Sequence, residues 1–300
     1  MAAWGICATV KAPVEQVLAF VAHHLSLGAA EITLCLDDPE DPAFPLLADL
    51  PDVTLIRCDG AWWAGFGQDR PDKHQVRQLR NINRILRHTA LPWIAHLDVD
   101  EFLLPAAPVA EVLDRLPADQ LMLRLPPFEA LHDPALPDDI FTATRFRGAM
   151  QGRAFRSLRR AVFDDYAPLL PRGMLSHSEG KCFFRSGVPG FQARLHAGFL
   201  RGERLERAPD DPDLELLHFH AQDRRAWLAA LPFRLTRGAY QFNARLCEYL
   251  SAATEEETAA FYRAVQCPGP EAMKALDGAG LLREVGLGLR HRIAGLSQRP

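Results

Sequence analysis

Apolar residues in the first hundred positions alternate between two spacings, one typical of buried strands and one typical of helices. Short continuous apolar runs predict strands at 5–10, 31–36, 53–58 and 93–97. Apolar residues three or four positions apart predict helices at 14–25 and 74–89, with a short helix at 44–50. This alternation predicts an α/β fold with a mainly parallel sheet covered by helices on both faces.

The pattern is less regular after residue 105. Strands are predicted at 121–125, 141–147 and 214–220, and a loop at 168–190, which is rich in Gly, Pro, Ser and His. From Asp223 onward the spacing is helical. We therefore expect an α/β domain over 1–222 and a helical C-terminal extension, 223–300, packed on it.

Composition excludes several classes of protein. The 300 residues are 48% hydrophobic and carry a formal net charge of −4, so no overall basic field favours nucleic acid. None of the six cysteines forms a C-x-x-C pair, which disfavours a zinc ribbon or a thioredoxin-like site. Three of them lie in apolar strand-like runs as core residues, so we expect a reducing compartment. With neither a signal-peptide pattern nor an apolar run of about 18 residues, we expect a cytoplasmic protein with at most peripheral membrane contact.

The most specific chemical signal is Asp98-Val99-Asp100, which follows the apolar run at 93–97. On an extended strand, side chains two positions apart point to the same side, so both carboxylates are expected to face one point. Ligands of open parallel sheets collect beyond the carboxyl ends of the strands. Two oxygen ligands there suit Mg²⁺ or Mn²⁺ together with substrate phosphates. The alternative is a pair of solvated surface charges.

At these residues the sequence resembles the family 2 glycosyltransferases, and more narrowly their bacterial members related to family 92. The matching text is Trp93-Ile-Ala-His-Leu-Asp-Val-Asp-Glu-Phe102, supported by Arg80-Asn81 and by the stretch from His23 to Gly28. The resemblance covers about residues 5–105. It implies a glycosyltransferase A-type fold whose sheet binds a nucleotide sugar. Ala12-Pro13 departs from the family, whose members often carry Asn-Glu at this point.

The resemblance implies that an acidic residue at Asp37-Asp38 contacts the nucleoside, although an Asp-Asp-Pro turn explains the pair equally well. Arg77, Arg80 and Asn81 lie close together on the predicted helix at 74–89, where they offer donors to a diphosphate or form a solvated helix face.

Two further groups of residues have a possible catalytic role. His218 is a candidate third metal ligand, although a lone histidine is more often structural. The resemblance implies that Gly180-Lys181 lies near the active site, where Lys181 would meet a phosphate. Glu179 is then the candidate base for the acceptor hydroxyl, and Asp165, beside Asp164, is the second candidate.

The aromatic pair Trp62-Trp63 is a further feature of the sequence. It would stack on a sugar or base, or close the edge of the sheet.

These residues and the resemblance predict a metal-dependent glycosyltransferase that moves a hexosyl group from a nucleoside-diphosphate sugar to a carbohydrate or glycolipid acceptor, as in polysaccharide biosynthesis. The resemblance implies that the transfer inverts the anomeric configuration. A nucleotidyltransferase is disfavoured because no glycine-rich loop follows the first predicted strand. The alternative is a non-catalytic nucleotide- or sugar-binding adaptor on a degenerate transferase fold, which the Ala12-Pro13 departure keeps open.

Overall fold

The computed structural model describes residues 1–137, 139–206 and 210–296. These residues form two compact units, each made of separate stretches of chain. The first unit contains 1–126, 180–216 and the described residues from 288, and the second contains 127–179 and 217–287. The predicted division into a domain over 1–222 and an extension over 223–300 stays a prediction.

The bounds of the strands agree with the predicted ones to within a few residues over the first hundred positions. The strands are β1 (Trp4–Val10), β2 (Glu31–Leu36), β3 (Val53–Arg57), β4 (Trp93–His96), β5 (Glu101–Pro105), β6 (Met122–Leu125), β7 (Pro127–Ala130), β8 (Arg145–Gly148), β9 (Lys181–Arg185), β10 (Phe191–Ala193), β11 (Gly198–Leu200), β12 (Glu203–Arg204), β13 (Leu214–His218) and β14 (Leu282–Glu284).

Helices follow most of the early strands and dominate the later part of the chain. They are α1 (Val14–Ser26), α2 (Phe44–Leu47), α3 (Gly60–Ala64), α4 (His74–His88), α5 (Val109–Asp114), α6 (Arg156–Phe163), α7 (Arg224–Thr236), α8 (Ala244–Ala252), α9 (Glu255–Gln266), α10 (Pro270–Gly278) and α11 (Leu289–Leu296), with 3₁₀ helices at Asp164–Leu169 and Ala239–Phe242. No helix within the described ranges combines the length and apolar character needed to cross a bilayer.

The core of the first unit is a six-stranded sheet in the order β3-β2-β1-β4-β9-β6. Strands β1 to β4 run parallel to one another, whereas β9 runs antiparallel to both β4 and β6. The sheet is therefore mostly parallel and flanked by helices, which confirms the predicted α/β fold. Its parallel strands are nearly continuous apolar runs, as expected for strands buried on both faces.

Helix α1 makes two sets of contacts within the first unit, one with the backbone of Leu103 and one with α11. Its last turn is buried, and both of its histidines bind the backbone of Leu103: His23 Nε2 lies 2.8 Å from the carbonyl oxygen, and His24 Nε2 accepts from the amide. Gly28 follows the helix at φ +89°, a left-handed conformation that favours glycine. Helix α11 packs against α1, where Arg292 donates to the hydroxyl of Ser26.

The second unit has a smaller antiparallel ladder, in which β8 pairs with β7 on one side and β14 on the other. The helices pack around an aromatic core that includes Trp227, Tyr240, Phe261 and Tyr262. Strand β14 lies in the region that was predicted to be entirely helical. It was missed because three residues form a strand only when a partner strand is present.

The predicted loop at 168–190 was wrong for residues 181–185, which form β9. Its middle residues, Cys182, Phe183 and Phe184, are completely buried between β4 and β6. The run is too short to give a periodic signal among the surrounding glycines and prolines, so only its pairing with distant strands defines it. This strand places Lys181 at the sheet.

Candidate functional site

A cleft of about 680 Å³ lies in the first unit where β1, β2 and β3 end. Lys11 follows β1, Asp37 and Asp38 follow β2, and Cys58 and Asp59 follow β3; all five line the cleft. The opposite side is formed by α3 and the residues after it, including Trp63, Gln68 and Arg70. A cleft beyond the carboxyl ends of parallel strands is the usual ligand position in such sheets.

Helix α4 holds the ends of these strands together, beginning with a buried ion pair. Arg77 donates from Nε to Asp37 Oδ1 at 2.6 Å and from Nη2 to Asp37 Oδ2 at 2.7 Å. Its Nη1 donates to the carbonyls of Pro71 and Asp72, both at 2.8 Å. The guanidinium that was predicted to meet a diphosphate therefore has its donors on protein oxygens, which orients Asp37 and the residues before α4.

The same helix reaches β1 and the wall of the cleft. Asn81 is fully buried and donates from Nδ2 to the hydroxyl of Thr9, at 2.9 Å, in β1. Its Oδ1 accepts from Trp62 Nε1 at 3.0 Å, and the neighbouring Trp63 donates to the carbonyl of Cys58 at 2.8 Å. Asn81 therefore positions the cleft, Trp62 ties α3 to α4, and Trp63 ties α3 to the residue that follows β3.

Gln78 connects α4 to the acidic motif. Its Nε2 lies 2.5 Å from Asp98 Oδ1, so consecutive residues of one helix, Arg77 and Gln78, bind the carboxylates that follow β2 and β4. One turn of α4 therefore fixes the positions of the two carboxylates relative to each other.

Asp98, Val99 and Asp100 form a tight turn, and the expectation of an extended strand was wrong. Strand β4 ends at His96, and the Glu101 amide donates to the Asp98 carbonyl at 3.0 Å. The turn is closed in the other direction by the Asp98 amide, which donates to Glu101 Oε2 at 2.8 Å. Glu101 is completely buried, whereas Asp98 and Asp100 are half-buried. Asp98 and Asp100 therefore do not follow the alternating side-chain directions of an extended strand.

Lys181 places a buried positive charge beside this turn. It begins β9, whose next residue pairs with the last residue of β4, and its Nζ lies 2.6 Å from Asp98 Oδ2 and 3.5 Å from Glu101 Oε2. Burial lowers the pKa of Lys181, but the charges of Asp98, Glu101 and Asp100 outweigh it and raise the pKa above that of an ordinary lysine. The ammonium is therefore permanently charged.

His74, the first residue of α4, was not singled out in the sequence. Burial lowers its pKa, the charges of Asp98 and Asp37 raise it, and those of Arg77 and Lys181 lower it. One imidazole thus lies within electrostatic range of both the carboxylate after β2 and the one after β4. Because consecutive residues of α4 also bind Asp37 and Asp98, the cleft and the acidic turn are neighbouring parts of one site.

The remaining predicted residues of the first unit lie apart from these contacts. Asp38 is exposed in the cleft and accepts from the Glu40 amide at 3.0 Å, so the predicted Asp-Asp-Pro turn is also present. Arg80 lies over the ring of Phe66 at 5.9 Å. Arg70, which the sequence did not indicate, lines the cleft with its side chain 44% exposed and lies 2.9 Å from Asp37 Oδ2.

Three predicted residues lie in the second unit. Glu179 Oε1 is 2.5 Å from Nη1 of Arg172, and both side chains are partly exposed. Asp165 is exposed on the 3₁₀ helix at Asp164–Leu169. His218 Nδ1 lies 3.3 Å from the hydroxyl of Ser176, with the rings of His177 and His220 nearby. Their roles as bases and as a metal ligand stay predictions.

The oxygen donors of the acidic turn are compatible with a hard divalent cation. Within the described residues, no group of three or more His, Cys, Asp or Glu side chains is arranged to hold a metal by itself. Mg²⁺ and Mn²⁺ commonly bind through one or two carboxylates plus substrate phosphates. Asp98 and Asp100 are the half-buried carboxylates of this turn, and carboxylate oxygens are ligands that these ions accept.

No protein-family model matches the sequence, and no curated protein sequence matches it. Among solved structures, the crystal structure of S. aureus TarS 1-349 is similar over 91% of this chain and 81% of that chain, at 9% sequence identity and a TM-score of 0.32. A likeness at this score supports neither a fold nor an activity. The function of this chain must therefore be inferred from its own residues.

Proposed function

We propose that this chain is a glycosyltransferase that uses a nucleoside-diphosphate sugar as donor. The observation that supports this most is the way α4 joins a cleft of about 680 Å³ to a half-buried acidic turn, through consecutive residues Arg77 and Gln78. The cleft has the volume of a small-molecule site and the turn has the chemistry of a diphosphate–metal site. A donor with a nucleoside at one end and a diphosphate in the middle requires both.

The nucleoside is proposed to occupy the cleft. Asp38 is exposed there and retains an oxygen that can accept from a ribose hydroxyl or a base N–H. Lys11 and Arg70 are the cations that line the cleft, and they are proposed to meet the negative diphosphate. Arg77 is proposed to act indirectly, because its ion pair holds the carboxylate of Asp37 in place.

Asp98 and Asp100 are proposed to hold Mn²⁺ or Mg²⁺ together with the diphosphate. When bound, the ion would offset the charge that develops on the leaving diphosphate. Lys181 neutralises part of the local negative charge, since its Nζ lies between Asp98 and Glu101. The turn can therefore keep several carboxylates ionised close together without an unfavourable net charge.

Transfer is proposed to proceed in one step with inversion. The acceptor hydroxyl attacks the anomeric carbon, the bond from that carbon to the phosphate oxygen breaks, and the nucleoside diphosphate leaves with the electron pair. The hydroxyl proton passes to a carboxylate, for which Glu179 is the first candidate and Asp165 the second. His218 is proposed as an additional metal ligand. The acceptor is a carbohydrate or glycolipid hydroxyl.

The direct test is a donor-hydrolysis screen without acceptor. Purified protein with Mn²⁺ is incubated with UDP- and GDP-sugars, and the released nucleoside diphosphate is measured. Release by the wild type, with a loss of about 100-fold or more in Asp100→Ala, supports the proposal. The control is Asp119→Ala, which removes an exposed aspartate of the same unit.

Two outcomes would contradict the proposal. Full activity of Asp100→Ala in excess Mn²⁺ would remove Asp100 from the site. Nucleotide binding measured by a rise in Tm, without hydrolysis or transfer of any donor, would instead support the non-catalytic adaptor.

A further inference from the structure

Helix α7 and the 3₁₀ helix at Ala239–Phe242 present large apolar side chains to solvent. Leu228 is 37% exposed, Phe233 is 48% exposed and Phe242 is 83% exposed. The two helices pack on one another, and the amide of Gly238 between them donates to the Phe233 carbonyl at 2.9 Å. Exposed aromatic side chains on adjoining elements commonly mark an interaction surface.

This surface is not a consequence of loose packing. Trp227, on the other face of α7, is 1% exposed, and its indole N–H donates to the Tyr240 hydroxyl at 2.8 Å. The helix begins with a side-chain cap, in which Asp223 accepts from the Ala226 amide at 2.8 Å. One face of α7 is therefore fixed in the aromatic core, and the opposite face is held toward solvent.

The same segment is basic in a chain that is acidic overall. Residues 223–248 contain five arginines against two acidic residues, Asp223 and Glu248, whereas the whole chain has a formal net charge of −4. The exposed arginines are Arg224, Arg225, Arg237 and Arg245. They lie near both ends of α7 and after Phe242, so exposed positive charges precede and follow the apolar side chains along the chain.

We propose that this basic-apolar surface, formed by Leu228, Phe233, Phe242 and the four exposed arginines, docks on an anionic lipid bilayer. Phenylalanine and leucine side chains insert at the boundary between headgroups and acyl chains, and arginines bind the surrounding phosphates. An apolar centre flanked by positive charge matches a bilayer surface, where an apolar layer lies below a negative one. Docking requires no catalytic step and is independent of the proposed function.

Vesicle binding of the full chain tests the proposal directly. Flotation is measured with vesicles of phosphatidylcholine alone and of phosphatidylcholine with about 30% phosphatidylglycerol. We expect binding to the anionic vesicles at least about tenfold tighter than to the neutral ones, with a decrease as salt rises. The variants are Phe233→Ser with Phe242→Ser, and Arg224→Gln with Arg225→Gln.

Each double variant is expected to bind anionic vesicles about tenfold more weakly. Leu46→Ser is the matched control, because Leu46 is 58% exposed in the first unit, and its binding should equal that of the wild type. All four replaced side chains are exposed, so far-UV circular dichroism and Tm should not change. Absence of vesicle binding, equal binding to both vesicles, or wild-type binding by the double variants would overturn the proposal. Binding of a protein partner alone would do the same.

Discussion

The Nζ of Lys181 lies 2.6 Å from Oδ2 of Asp98, although the two residues are 83 positions apart in the chain. The contact joins the start of an antiparallel strand, β9, to the end of a parallel strand, β4. It therefore depends on correct pairing of distant strands. A buried ammonium at this point controls both the stability of the sheet and the charge of the proposed metal site.

Replacement of Lys181 by methionine should destabilise the protein. The variant keeps most of the side-chain volume but leaves Asp98 and the buried Glu101 without their shared cation. Loss of one partner of a fully buried pair costs roughly 3–5 kcal/mol, and because Asp98 is 34% exposed we expect about 2 kcal/mol. Chemical denaturation measures the free energy of unfolding, with Lys274→Met, an exposed lysine, as control.

The pH dependence of this effect has a definite sign. The pKa of Lys181 is raised in the folded protein, so its contribution is complete below the unfolded-state pKa of about 10.4 and is lost as the pH rises through the folded value. The difference between wild type and Lys181→Met should therefore be constant between about pH 6 and 9. A difference that disappears within that range would contradict the assigned ion pair.

Arg77 and Arg70 bind the same carboxylate but should differ in their contribution to stability. The Arg77 and Asp37 side chains are 9% and 7% exposed, whereas Arg70 is 44% exposed. Arg77→Met leaves a buried carboxylate and should cost about 3 kcal/mol, while Arg70→Met should cost at most about 1 kcal/mol. Denaturation of the two variants measures this, and equal losses would show that burial does not determine the strength of the pair.

The role of Glu179 can be separated from donor binding. Glu179→Gln removes the proposed base but retains a group able to bind Arg172, so donor affinity should be unchanged. Turnover with acceptor should fall by about 100-fold or more. Steady-state kinetics with the donor identified by hydrolysis would measure both quantities. Unchanged turnover, together with a loss in Asp165→Asn, would assign the base to Asp165 instead.

His23 should make the protein acid-sensitive. Burial lowers its pKa to about 4, against an ordinary value of 6.5, so the unfolded chain binds a proton more readily between these values. The contribution to stability is therefore complete above about pH 6.5 and decreases by about 3 kcal/mol as the pH falls to 4. His23→Gln should reduce this slope, whereas His88→Gln, at an exposed position, should not. Parallel slopes in all three proteins would contradict the prediction.

The parallel part of the sheet was predictable because each of its strands is marked by a local apolar run. The apolar runs at 31–36 and 53–58 correspond to β2 and β3, and the run at 93–97 corresponds to β4. Strand β9 was not predictable, because its five residues become a strand only through pairing with β4 and β6.

In the candidate site, the sequence indicated the important positions more reliably than their contacts. Asp37 and Asp98 follow β2 and β4, as predicted, and Arg77 lies on the predicted helix. Sequence spacing placed Arg77 on a helix face but could not show that its guanidinium pairs with the carboxylate of Asp37. The turn at Asp98 was missed for a related reason, since its closing bonds involve the backbone of Asp98 and the side chain of Glu101.

The packing of α11 against α1 has a consequence for how the protein is made. Arg292 and Ser26 are 266 positions apart, yet both belong to the first unit. The ribosome must add the residues of α11 before α1 acquires this neighbour, so part of the α1 surface stays uncovered during synthesis. Contacts of such long sequence separation form slowly, and apolar surface that is exposed in the meantime is prone to aggregation.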